Sequence, residues 1–201
     1  LVEDNYFMGG VNAFELRQTA QATVRRNTFW APNGMVSVGI VPPAQAETAL
    51  ARVSADPKSM LDLEKIDFKR FGVVFEENRY IDNGKFDLER FRAATKTAQT
   101  DKIIPGKDGR PVDVAVFKRV NLYEPECVHL TLFNWPKGET VSLDLGDVLK
   151  PGEKFRIMDV RDLWGTPALA GVHAGKPVEF KPTGPWAPEF ASYVLFRPTP
   201  K

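Results

Sequence analysis

The sequence has a single cysteine, Cys127, and two histidines in 201 residues. One cysteine excludes an intrachain disulfide and is neutral about compartment. An excess of either charge is also missing, because 27 basic residues against 26 acidic ones leave a net charge of +1. So balanced a chain has no field for a polyanion, and nucleic acid is not expected as a partner. No apolar run reaches the roughly 18 residues of a membrane span. There is no Asn-x-Ser/Thr acceptor, no Gly-x-Ser-x-Gly, no phosphate-binding loop and no dinucleotide fingerprint, so acyl transfer and nucleotide chemistry are not expected. Turn chemistry, by contrast, is plentiful. Sixteen prolines and fifteen glycines lie between β-rich runs, as in an all-β protein with many short connections.

The first forty residues repeat themselves. Leu1-Val-Glu-Asp-Asn-Tyr-Phe7 returns 22 positions later as Thr23-Val-Arg-Arg-Asn-Thr-Phe29, and Phe14 and Leu16 map onto Val36 and Val38 at the same offset. Fixed-period repetition marks stacked units, none of which buries its apolar face alone. About three such units are needed for stability, so Leu1 is expected not to be the start of the natural domain. Apolar and polar residues alternate in 13–17 and 35–39. Phe14, Leu16, Val36 and Val38 then line an interior, while Glu15 and Ser37 face outward about 4.8 Å apart. Asn5 and Asn27 fall at strand turns, where asparagine tolerates left-handed backbone and can hydrogen-bond along a stack. Asn78, in Phe75-Glu-Glu-Asn-Arg-Tyr80, stands 51 positions after Asn27, one period plus a 29-residue insertion. The three asparagines are expected to form a structural ladder.

The insertion starts near Pro42-Pro43. Residues 43–53 are rich in good helix formers behind a proline, and 60–66 are a second helical candidate, giving a helical insertion over about 43–66. Another helix is expected over 87–98, capped by Asp87, with Leu88, Phe91, Ala94 and Ala98 forming one stripe. Pro105-Gly106 and Asp108-Gly109 mark 104–111 as a linker. Beyond it, six strand-like runs at hairpin spacing predict an antiparallel β-sandwich over 112–201. The domain expectation is therefore 1–103, linker, 112–201.

With these segments in place, the chain resembles the C-terminal part of bacterial right-handed parallel β-helix proteins of the pectate-lyase-like superfamily. The likeness rests on the Asn-x-aromatic turns at Asn5, Asn27 and Asn78. Leu122-Tyr-Glu-Pro125, Phe133-Asn-Trp-Pro136, Val148-Leu-Lys-Pro-Gly152, Phe155-Arg-Ile-Met-Asp159 and Leu163-Trp-Gly-Thr-Pro167 resemble tail sandwiches found behind such helices and behind glycosidase domains. The resemblance implies the last rungs of a β-helix followed by an accessory sandwich, in a secreted, cell-surface or periplasmic protein that acts on polysaccharide. It places the groove on the outer face of one parallel sheet, where Glu15, Arg17 and Ser37 would lie. Sugar-cleaving members of the superfamily carry clusters of Asp, Lys, Arg or His on that sheet, whereas here Glu15 and Arg17 are the pair that could belong to one. The catalytic centre of a lyase or hydrolase is thus expected mostly upstream of Leu1, in the rest of a parent chain. The alternative is a non-catalytic carbohydrate-binding or cell-surface structural module.

Glycoside hydrolysis needs two carboxylates about 5 to 10 Å apart, and Glu15 by itself does not complete such a pair. Cys127 and His129 share a strand face, yet zinc needs four ligands and no further Cys or suitably spaced His exists. Asp144, Asp147, Asp159 and Asp162 lack the dense spacing of a calcium loop and read as turn residues. No cofactor is evident, and calcium is retained only as a candidate for the parent protein. Aromatic faces match the C–H surfaces of sugars, which makes Trp30, Trp135, Trp164 and Trp186 candidates. Trp135 and Trp164, flanked by turn residues, fit equally well as plugs at the ends of a sandwich core. Trp30 follows the Asn27 turn and is expected to stand in solvent. The ligand-binding expectation is therefore Glu15, Arg17, Trp30 and Ser37.

Overall fold

The computed structural model describes residues 1–16, 21–32, 34–40, 51–54, 72–82 and 86–197, those at 37–40 and 51–54 by backbone alone. It divides into an N-terminal unit, Leu1–Pro111, and a C-terminal unit, Val112–Lys201. The described residues are almost all β, with parallel and antiparallel sheets and one short helix.

In the N-terminal unit the strands are β1 (Val2–Glu3), β2 (Tyr6–Met8), β3 (Phe14–Leu16), β4 (Ala22–Arg25), β5 (Thr28–Trp30), β6 (Val36–Ile40), β7 (Ala51–Ser54), β8 (Val73–Glu76) and β9 (Arg79–Asp82). Helix α1 (Leu88–Thr95) and β10 (Lys102–Pro105) complete it. They form three small sheets, ordered β1-β4-β8, β10-β9-β5-β2 and β3-β6-β7. Parallel pairing follows the 22-residue offset: Val2 faces Val24, Phe7 faces Phe29, and Glu15 faces Ser37. The same register sets Glu3 beside Arg25, whose Nε donates to it at 2.7 Å.

Asn5, Asn27 and Asn78 are joined by side-chain bonds. The backbone N–H and Nδ2 of Asn5 both donate to Asn27 Oδ1 at 3.0 Å, and those of Asn27 donate to Asn78 Oδ1 at 3.0 and 3.2 Å. Left-handed backbone falls one residue earlier than the sequence suggests, at Asp4, Arg26 and Glu77, with φ of 57°, 53° and 57°. A non-glycine residue there costs about 1–2 kcal/mol. The bonds made by the following asparagine offset that cost. The row ends on Asp101, which accepts Asn78 N at 3.0 Å, Asn78 Nδ2 at 3.1 Å and the Tyr80 hydroxyl at 2.7 Å. Beside it runs an aromatic row, Phe7 on Phe29 (5.3 Å, 7°), Phe29 on Tyr80 (5.5 Å) and Tyr80 on Phe86 (4.5 Å). Phe29, Phe75, Tyr80 and Phe91 are fully buried, each worth about 1.5–3 kcal/mol in removed apolar surface.

Three expectations change here. Residues 51–53, read as the end of a helix, belong to β7, which pairs antiparallel to β6. Helix propensity is a weak prior, and pairing with an open strand edge satisfies the same backbone groups; the rest of the 43–66 insertion lies outside the described residues. The expected linker is tied down, because β10 pairs in parallel with β9 and Lys107 and Arg110 exchange backbone bonds. A right-handed parallel β-helix is not shown: the sheets hold three or four strands, and one of them turns antiparallel at its end. Helix α1 occupies 88–95 of the expected 87–98. The Asp87 carboxylate caps it by accepting from Arg90 N, and it ends at left-handed Lys96.

The C-terminal unit contains β11 (Val114–Val120), β12 (Cys127–Asn134), β13 (Val141–Leu143), β14 (Lys154–Asp159), β15 (Leu169–Val172), β16 (Val178–Phe180) and β17 (Phe190–Phe196). All pairings are antiparallel, in a five-stranded sheet β11-β12-β17-β14-β15 and a two-stranded sheet β13-β16. Alternation sends Leu130, Leu132, Tyr193, Leu195 and Ile157 into one apolar core, shared with Val141, Leu143 and Phe180 of the smaller sheet. β15 was not expected, because its Leu-Ala-Gly-Val stretch has no clear alternation and is largely exposed.

Candidate functional site

Of the ligand-binding candidates in the N-terminal unit, Trp30 is engaged in structure. Glu15 is exposed on β3, level with Ser37 of β6. Arg17 and the side chain of Ser37 lie outside the described residues. Trp30 is half-buried and does not stand in solvent: its indole N–H donates to Gly109 O, and the Arg110 guanidinium lies 5.7 Å over the ring. It pins β5 to the 107–110 turn. A cleft of about 500 Å³ beside α1 is lined by Asp87, Glu89, Arg92, Asp101 and Lys102. Its charged groups serve the fold: Asp87 caps α1, and Arg92 bonds Glu89, Ala98 O and Asp101 O. Burial pushes the Asp101 carboxyl above its ordinary range, against the opposing bonds from Tyr80 and Asn78. The Tyr80 phenol is raised by its own burial and then by the Asp101 charge.

In the C-terminal unit, Cys127 is buried and its thiol faces Glu124 Oε2 at 3.7 Å. Burial and that neighbour raise its pKa, and His129 on the same strand is exposed. His173 is buried, pairs through its backbone with Glu153 and Gly152, and its Nδ1 has no partner among the described residues. Three of the four aspartates are engaged within the unit: Asp144 accepts from Gly146 N, Asp147 binds Lys118 Nζ of β11 at 2.5 Å, and Asp159 binds Arg161. Among the described residues no three His, Cys, Asp or Glu converge on a common metal position. No described helix is long and apolar enough to cross a membrane.

Three tryptophans, by contrast, gather at one end of the five-stranded sheet. β12 ends there at Asn134, β17 begins there at Phe190, and β14 leaves there after Asp159, since Phe133 faces Phe190 and Asp159 faces Tyr193. Each strand end opens into a loop carrying one indole.

The 160–168 loop is the most tightly built. The Asp159 carboxylate accepts Arg161 N and Nε at 2.9 Å and Nη2 at 2.6 Å. Those bonds hold the carboxyl below its ordinary range, the Arg161 side chain being the main cause. The base closes through Val160 N to Ser192 O and Ala168 N to Ile157 O. A Cβ on Gly165 would lie 2.0 Å from Asp162 Oδ2, so a larger residue there would have to displace that carboxylate. On this fixed loop Trp164 is 92% exposed, which rules out the core-plug reading for this residue.

The 183–190 loop lies alongside. Tyr193 Oη accepts Thr183 N and donates to Thr183 O at 2.8 and 2.9 Å, and Gly184, with φ of +117°, sits against Arg161. Trp186 is 66% exposed, 6.4 Å from the Phe190 ring. In the third loop, Asn134 Nδ2 donates to Gly138 O, and Lys137 binds Glu189 Oε2 at 2.6 Å. Half-buried Trp135 stacks on Phe133, which also touches Phe190. An aromatic row thus runs from Trp135 through Phe133 and Phe190 to Trp186. Sequence reasoning named these tryptophans but could not rank them, because flanking turn residues do not say whether an indole turns inward or outward.

No known protein family matches this chain, and no curated protein or solved structure does either. Together with the small, mixed sheets, this overturns the assignment to the pectate-lyase-like superfamily, whose asparagine-turn signature here reflects hydrogen bonding between paired turns.

Proposed function

We propose that the C-terminal unit binds carbohydrate, as a non-catalytic module of a protein directed at polysaccharide. The observation that carries this reading is Trp164, a large apolar side chain held in solvent by a loop whose foot is closed by three Asp159–Arg161 bonds and two backbone bonds. Exposing an indole forfeits the burial that most tryptophans gain. A pyranose ring recovers it, because its axial C–H groups stack on the aromatic face and its hydroxyls stay wet. Trp186, on the adjoining loop, supplies a second surface for a longer chain. The two antiparallel sheets act as a sandwich-like support, and an extracellular or cell-surface setting follows from such a ligand.

Affinity electrophoresis and calorimetry of the whole chain against a panel of soluble polysaccharides test the reading. At least one polymer binds, and Trp164→Ala weakens it by about tenfold, the equivalent of one lost stacking contact of about 1.4 kcal/mol. Unchanged affinity in that variant would remove the site. A second reading, in which the parent protein is a polysaccharide lyase or hydrolase, rests on exposed Glu15 beside Ser37 and is tested by reducing-sugar and unsaturated-product assays of that parent.

A further inference from the structure

We infer that Asp162 is the polar half of the Trp164 site and accepts hydroxyls from the rim of the sugar that stacks there, an inference that rests on the carbohydrate-binding reading above. An indole face by itself grips any ring with a bare C–H surface and leaves it free to turn, so orientation falls to a polar group beside the ring. The 160–168 loop has two charged side chains, Arg161 and Asp162. Arg161 is committed, because its Nε and Nη2 both go to Asp159. Asp162 is exposed, and among the described residues nothing bonds its carboxylate.

The place of that carboxylate is set by the turn that carries the indole. Gly165 N reaches back to Asp162 O at 3.5 Å, and the Asp162 carboxylate fills the space a Gly165 Cβ would take. It therefore rests against the backbone of the residue that follows Trp164, beside the base of the exposed ring. The missing Cβ makes room for it. A carboxylate offers two acceptor oxygens, which suit an adjacent pair of sugar hydroxyls, and its charge makes those bonds stronger than neutral ones. A site that accepts from a hydroxyl also discriminates against a ligand whose oxygen has no proton to give. The ligand class is a sugar polymer whose ring presents a bare C–H face and, at its edge, neighbouring hydroxyls that are not etherified.

The experiment titrates the whole chain calorimetrically with a soluble xyloglucan, a galactomannan and an arabinoxylan, each native and after O-methylation, and carries the tightest binder forward to the variants. Asp162→Asn keeps the shape of the side chain and removes its charge and one acceptor; it is expected to weaken binding about tenfold with thermal unfolding unchanged. Gly165→Ala places a Cβ where the carboxylate sits and is expected to weaken binding by a similar factor. The double variant is expected to lose no more than the stronger single change, because both act on one group. O-methylation is expected to weaken binding to the unmodified chain and to affect Asp162→Asn much less. Full affinity in both Asp162→Asn and Gly165→Ala, with an about tenfold loss in Trp164→Ala, would overturn the role of Asp162 and leave the carbohydrate-binding reading intact. Additive losses in the double variant would overturn the placement of the carboxylate through Gly165. Affinity indifferent to Trp164→Ala, or absence of binding to every polymer by a chain shown folded by circular dichroism, would take down both readings together.

Discussion

The two units solve the problem of burying a β-rich chain in opposite ways. In Leu1–Pro111 neighbouring strands run parallel except for β6 and β7, and a line of asparagine side chains, Asn5 to Asn27 to Asn78, ends on the Asp101 carboxylate beside stacked rings at Phe7, Phe29 and Tyr80. In Val112–Lys201 the strands run antiparallel around an apolar core, and much of the aromatic surface is carried outward on loops. Buried amides in register are committed to each other, since the Asn27 and Asn78 side-chain oxygens and nitrogens all have fixed partners. Outward indoles are not so committed. Residues that look equally eye-catching in a sequence, an asparagine repeat and a set of tryptophans, therefore differ in what they can do: the first holds a fold and the second can meet a ligand.

The sharpest way to break this contrast is to cut the polar line. Asn27→Ala removes the acceptor used by Asn5 N and Nδ2 and the donors that reach Asn78 Oδ1, Val2 O and Arg25 O. Several buried groups lose partners at about 1–3 kcal/mol each, so the N-terminal unit should lose at least about 3 kcal/mol. Hydrogen exchange read residue by residue should show deprotection confined to that unit, with the β12 and β17 amides unchanged. Equal loss of protection in both units would refute the separation.

A smaller effect separates the units by pH. Asp101 titrates higher in the fold than its ordinary 3.8 because of burial, so the folded state holds the proton more tightly and stability falls as pH rises from 3.8 through the raised value. Asp159 titrates lower than its ordinary 3.8 because of Arg161; its contribution is full above 3.8 and is lost as pH falls through the lowered value. Acid should thus favour the N-terminal unit through Asp101 and disfavour the C-terminal one through Asp159. Glu3 and Asp4, lowered by Arg25 and Arg26, oppose Asp101 within its own unit. Asp101→Asn isolates the term: it keeps an acceptor for Asn78, and protection of β9 amides measured between pH 4 and 7 should lose the slope assigned to Asp101. A slope identical to that of the unmodified chain would show that this carboxyl does not carry it.

The smallest test concerns the left-handed turns. Glu77 is exposed and holds φ of +57° without a glycine. Glu77→Gly should stabilise the N-terminal unit by up to about 1 kcal/mol, because the strain relieved slightly exceeds the freedom added to the unfolded chain. Urea denaturation monitored on the N-terminal amides would check the sign, and a destabilised variant would place the strain elsewhere.

The asparagine line was legible because a hydrogen bond along a stack demands the same residue at the same offset, and 22 positions separate Asn5 from Asn27. Its last member was not, since Asp101 is a carboxylate inside a stretch that read as linker, and only the fold brings it under Asn78 and Tyr80. β7 was misread because Ala-rich composition favours a helix locally, whereas the edge of β6 supplies backbone partners at long range. The likeness to a known superfamily failed for another reason: asparagine turns report one way of hydrogen-bonding stacked strand ends, and that solution does not carry a family or a groove with it.

By itself the sequence determined what depends on neighbours along the chain or on a fixed offset: the 22-residue pairing of Phe7 with Phe29, the alternation that buries Leu130 and Leu132, and the Asp87 cap of α1. Tertiary structure alone decided which side of a turn each tryptophan faces. Trp30 and Trp164 are both followed closely in the sequence by glycine or proline turn residues. One is covered by Arg110, and its N–H meets Gly109, 79 residues further along the chain. The other is lifted into solvent by a carboxylate–guanidinium pair at the foot of its loop. Exposure is set by what returns from distant parts of the chain to cover a side chain, and no local pattern encodes that.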